Sequence, residues 1–183
     1  MALWGTTANV DEAKPKWLTD EQKKNVYATD RGWVQLNGKG LEEVIVAIGG
    51  LAGGTSATAG LGAANISAIE FSAASAYSEL NGGTVSVVVT FNERVDITGT
   101  PQVTVNSTGA TSTFTLDYAS HTRNRVTFTA TGGNGTLPVA ENDVLSIGTN
   151  AVALNSGTIY DYQTTLPSIL THAASASTLT VSA

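Results

Sequence analysis

Few side chains in this chain could do chemistry, and their spacing is unhelpful. There is no Cys, so disulfides, thiolate metal sites and a Cys nucleophile are excluded. The two His residues, His121 and His172, sit in polar, turn-like sequence and read as solvated and idle. Two His do not supply a His-based metal site, and they argue against a Ser-His-Asp triad. Asp96, Glu141 and Asp143 could form a calcium site between loops, with carbonyls completing the oxygen shell. The simpler reading is that they cap turns, since no EF-hand loop is present. A glycosidase needs two carboxyls about 5–9 Å apart. Glu70 with Glu79, or Asp117 with Asp161, are the pairs to consider, and nothing in the sequence brings them together. Glu93 and Arg94 read as edge charge that discourages strand addition. The glycines match no phosphate-binding loop. The expectation is a protein that is not an enzyme and uses no cofactor or metal.

The chain instead concentrates unusual residues near its start. Trp4, Trp17 and Trp33 are its three Trp residues, and all lie in the first 34 of 183 positions. Residues 1–43 hold six of the nine basic residues but carry a net charge of only −1, against −6 for the whole chain. Balanced charge of this density suits a polar interface with specific pairs better than a one-signed steering patch. An acidic chain is a poor match for nucleic acid, which favours basic partners. The longest apolar stretch, 44–52, is far short of the ~20 residues that span a bilayer as a helix, and the start does not read as a secretory signal.

The elements that would position these residues differ along the chain. Residues 19–27 carry helix signals. Thr19 is a candidate N-cap, Gln22 stands at capping-box spacing, Asp20 and Glu21 precede Lys23 and Lys24, and Pro15 blocks an earlier start. About two turns of helix are marginal alone. Residues 31–35 and 43–48 read as strands. The second is, after Glu43, a continuous apolar run rich in β-branched residues, as a strand buried on both faces would be. Residues 49–62 have six Gly and no charge, and read as a flexible linker.

From Ile66 the texture is all-β. Candidate strands are 68–73, 84–91, 94–97, 102–106, 112–118, 125–131, 143–147, 151–154 and 178–182. Phe114, Leu116 and Tyr118 share one face, as do Val126, Phe128 and Ala130. Gly, Asn and Pro mark the turns between. Strands at this spacing suggest a sandwich of two antiparallel sheets. The expected division is an N-terminal attachment arm with a Gly-rich hinge over 1–62 and the sandwich over 63–183, so the fold class is mainly β with an extended arm containing a short helix.

Two stretches resemble known families. VSVVVTFNERVDITGTPQVTV, RVTFTATGGNGTLPVAENDVLSI and AVALNSGTIYD, within residues 85–161, resemble a bacterial immunoglobulin-like repeat of large surface and adhesin-like proteins. Asn92 stands where that family usually has Ser, and Ser156 replaces one Gly. The resemblance implies an immunoglobulin-like antiparallel β-sandwich used for spacing or adhesion. The order Trp4-Gly5, DEAKPKWLT, KNVYAT and GWV resembles the opening of virion structural proteins from marine T4-like tailed phages. It implies a structural virion protein, with head decoration (cement) on the capsid exterior as the leading role. A tail or fibre component and a glycan-binding adhesin module are the alternatives. The expected partners are the major capsid protein or neighbouring copies of the chain, as a homo-oligomer or lattice-bound, with weak contact to host-surface glycans and none to nucleic acid or membrane.

The residues expected to bind that partner are Trp4, Lys14, Lys16, Trp17, Tyr27, Trp33, Val44 and Val46. Trp suits an interface because it buries a large area with one N–H to satisfy. The alternative is that the three Trp pack on the arm's own strands. Lys14-Pro15-Lys16 either grips partner acids or is a solvated turn. Residues 44–48 could add a strand to a partner's sheet. Tyr77, Tyr160 and Tyr162 are the candidates for a glycan platform.

Overall fold

The computed structural model describes residues 14–53, 60–109, 113–133 and 135–183. Trp4 and the middle of the Gly-rich stretch lie outside them. The helix α1 runs Asp20–Lys24 and has the expected capping box, with Thr19 and Gln22 each accepting the other's backbone N–H. It stops three residues before the predicted end. Val26 and Tyr27 enter a strand instead, where pairing and burial outweigh helix continuation. Lys14 is also unlike its expectation. It is 1% exposed, and its Nζ donates to the Lys23 carbonyl at 2.8 Å, placing a cation at the negative end of the helix.

After the helix the arm forms an antiparallel sheet, β1 (Val26–Thr29), β2 (Gly32–Leu36) and β3 (Glu42–Ala47), in that order. Gly32 has φ of +123°, and a Cβ there would collide with the Val46 carbonyl oxygen, so the tight approach of β2 to β3 requires glycine. Val26, Ala28, Trp33, Leu51 and Ala52 form a small core under this sheet, joined by Leu18, Ile45, Val46, Ile48 and Leu61. The strand expected to be buried on both faces is β3, and it is instead a half-exposed edge. Among the described residues it pairs only with β2, and a register shift leaves Ile45 as the extra residue between Val44 and Val46. The start of the presumed linker supplies core residues too, because Leu51 and Ala52 are 2% exposed.

A second, larger core begins at Ala64. Its strands are β4 (Ile66–Phe71), β5 (Ala76–Ser78), β6 (Gly82–Phe91), β7 (Val95–Thr98), β8 (Gln102–Ser107), β9 (Thr113–Thr122), β10 (Arg125–Gly132), β11 (Val144–Ser146), β12 (Val152–Ala153), β13 (Thr158–Asp161) and β14 (Thr178–Thr180). The main antiparallel sheet has the order β14-β11-β8-β9-β10-β6-β4, with β12 on β8 and β5 on β6, while β7 and β13 form a ribbon. Its two ends curl towards each other. Phe71 N–H donates to Ser177 Oγ at 3.1 Å, and Ser175 Oγ donates to the Ile69 carbonyl at 2.6 Å. Alternation drives the packing. Val85, Val87, Val89, Val103, Val105, Leu116, Val126 and Phe128 are fully buried, while intervening Thr and Ser face outward or lie at the edge of burial. The fold is a mainly β, immunoglobulin-like antiparallel sandwich, with the short helix in its N-terminal segment.

Candidate attachment surface and the seam behind it

The structure divides the expected partner-binding residues into an outer and an inner set. Trp17 is 64% exposed immediately before α1, Lys16 beside it is exposed, and Val44 is 39% exposed on β3. Leu41, which sequence reading did not single out, is 62% exposed in the turn before β3. Val46 is half-buried against the small core. Lys14, Tyr27 and Trp33 are buried and face the protein's own interior, which corrects their assignment to a partner surface. Trp33 fills the small core, and its indole Nε1 has no acceptor among the described residues. The arm's own strands therefore cover this Trp.

Tyr27 belongs to a polar cluster. Its hydroxyl donates to Glu42 Oε1 at 2.8 Å, and burial together with that carboxylate pushes the phenol above its ordinary range. Arg31 reaches Glu42 Oε2 at 2.6 Å, and Arg123, from the sandwich, reaches Oε1 at 3.3 Å. Burial alone would raise the Glu42 carboxyl, but the Tyr27 hydrogen bond and Arg123 hold it below its usual range.

Arg123 is one of several ties that make a seam between the N-terminal sheet and the sandwich. Ala28 N–H donates to the Asn92 carbonyl at 2.8 Å, and Ala28 makes a parallel bridge with Glu93. Lys24 Nζ pairs with Glu70 at 2.7 Å, and Arg125 donates to Asn25 at 3.1 Å. A cavity of about 130 Å³ lies at this seam, with Tyr27, Asp30, Arg31, Glu93, Asp161 and Tyr162 among its walls.

Two carboxyls are buried there, each 1% exposed. Asp161 is well served, since Ala64 N–H reaches Oδ2 at 3.0 Å and the N–H groups of Gln163 and Thr164 reach Oδ1 at 2.7 and 2.9 Å. Among the described residues, Glu93 Oε1 accepts only from the Asn92 amide at 3.4 Å, and Oε2 has no hydrogen-bond partner. Burial, then the neighbouring Asp161 charge, push Glu93 up to about 9. Glu93, which in sequence reads as an edge charge discouraging strand addition, is an interior group. No sequence signal distinguished it from the exposed Arg94 next to it, whose guanidinium lies 3.7 Å from the Tyr162 ring centre.

The other chemical candidates separate. Glu70 is held by Lys24, Asp117 accepts from Gln102 at 2.7 Å, and Glu79 accepts the Glu141 N–H at 2.8 Å. Asp143 accepts from Ala140 N–H and Ser107, as a turn-capping carboxylate does. Among the described residues no three His, Asp or Glu side chains gather where they could hold a metal. Neither His is idle. His121 Nδ1 shares a hydrogen bond with the Tyr118 hydroxyl at 2.7 Å. His172 Nε2 accepts the Ala151 N–H at 2.9 Å, which leaves Nδ1 to donate to the Ala173 carbonyl. Tyr77 is 2% exposed and donates to the Gly133 carbonyl, so it offers no platform, whereas Tyr160 and Tyr162 are 38% and 44% exposed. The chain matches no protein-family model, no curated protein and no solved structure.

Proposed function

We propose that this chain is a structural virion protein, a head decoration protein that binds the capsid exterior through its N-terminal segment. The observation that carries this reading is the exposure of Trp17, Leu41 and Val44 around the N-terminal helix and β3, beside the exposed Lys16. Exposed large apolar side chains on the N-terminal segment are what an attachment surface uses. The resemblance of the same segment to phage virion proteins supports the identity of the particle. The sandwich projects or spaces, and attachment gains from repetition, because a lattice of weak sites raises effective concentration.

Full-length protein carrying Leu41→Asp and Val44→Asp, mixed with undecorated capsids, tests the surface. Occupancy should fall at least tenfold, and wild-type occupancy would contradict the reading. Exposed Tyr160 and Tyr162 favour a second reading as a glycan-binding module. It predicts glycan-array signal that Tyr162→Ala removes.

A further inference from the structure

The seam contains two acidic side chains that cannot both be ionised at low cost. Glu93 and Asp161 are both buried and line the same cavity. Among the described residues no cation forms an ion pair with either. Arg31 is committed to Glu42, and Arg94 lies over Tyr162. The remaining groups facing the cavity are Tyr27 and Asp30 from the N-terminal sheet and Gln163 from the loop after β13. Asp161 accepts three backbone N–H groups, whereas Glu93 accepts none among the described residues. Glu93, whose Oε2 has no hydrogen-bond partner among the described residues, is the carboxyl that burial and the Asp161 charge keep protonated.

Position makes this proton consequential. Glu93 forms the bridge to Ala28, next to the Ala28–Asn92 backbone bond that joins β1 to the sandwich. We propose that the proton on the buried Glu93 is a latch holding the N-terminal sheet on the sandwich, so that rising pH frees the sheet. When the seam opens, Glu93 reaches water and ionises at an ordinary carboxylate value. When it closes, Glu93 must take the proton back. The closed state is favoured most below about pH 4.5 and loses ground as pH rises towards about 9, by up to about tenfold per pH unit. The latch does not depend on what the N-terminal sheet attaches to.

Amide hydrogen exchange on the full chain tests it. The Ala28 N–H reports the seam, and the Val87 N–H reports the centre of the sandwich sheet. After correction for intrinsic exchange, Ala28 protection in the wild type should fall between about pH 6 and pH 9, approaching tenfold per unit. Val87 protection should not fall in step. Glu93→Gln is neutral at every pH and removes the titration, so its Ala28 protection should be flat. A flat wild-type profile, an equally steep Glu93→Gln profile, or parallel loss at Val87 would overturn the latch. Carboxyl NMR titration of the wild type is a second measurement that needs no variant. Glu93 should titrate near about 9, and a midpoint in the ordinary carboxylate range would overturn it.

Discussion

Glu42 on β3 and Arg123 in the β9–β10 turn meet at 3.3 Å, and through them the N-terminal sheet is anchored to the sandwich by charge as well as by backbone. The same carboxylate takes the Tyr27 hydroxyl and Arg31. One side chain on β3 thus holds together groups from β1, the β1–β2 turn and the β9–β10 turn of the sandwich.

Glu42→Ala should therefore cost more than loss of an exposed ion pair. It leaves the buried Tyr27 hydroxyl without an acceptor, a loss of about 1–3 kcal/mol. Urea denaturation checks the size, and a change below about 0.5 kcal/mol would deny Glu42 this role.

The same carboxylate sets an acid limit. Its folded value lies below its unfolded value, so its stabilisation is present above about pH 4.5 and lost as pH falls through the lowered folded value. Wild-type stability should drop over that acid range, and the Glu42→Ala profile should lack this component. Identical acid limbs would count against the network.

Trp17 and Trp33 should behave as opposites. Trp33→Ala empties the centre of the small core and should cost about 3–5 kcal/mol in thermal unfolding. Trp17→Ala, at a position 64% exposed, should change stability by no more than about 0.5 kcal/mol while weakening attachment. Equal stability losses would show that Trp17 is a core residue.

Gly32→Ala tests the local geometry of β2. The positive φ and the clash with the Val46 carbonyl should destabilise the N-terminal sheet by at least about 1 kcal/mol. Ala28 exchange should rise in this variant while Val87 stays protected. Unchanged Ala28 exchange would mean that β2 and β3 adjust freely.

The sandwich was legible because each strand states its own environment. Leu116, Val126 and Phe128 are buried where alternation placed them, and the turn signals fall between the observed strands. The short strands β5 and β13 were missed, since three or four residues carry too little periodicity. The N-terminal segment was harder because its contacts are long-range. Val26 and Tyr27 read as the end of a helix until β2 is available to pair with them. The apolar run in β3 looked central, but Leu51 and Ala52, from a stretch that read as linker, fill the space beneath the sheet. Glu93 and Asp161 are 68 positions apart, and only the closed fold brings them together.

The most direct test of the central claim is cryo-electron microscopy of purified particles carrying the full chain. The account predicts density at regular lattice positions on the capsid exterior, with Trp17, Leu41 and β3 against the shell and the sandwich pointing outward. Density confined to the tail, or a sandwich seated on the shell with the N-terminal sheet facing solvent, would contradict it.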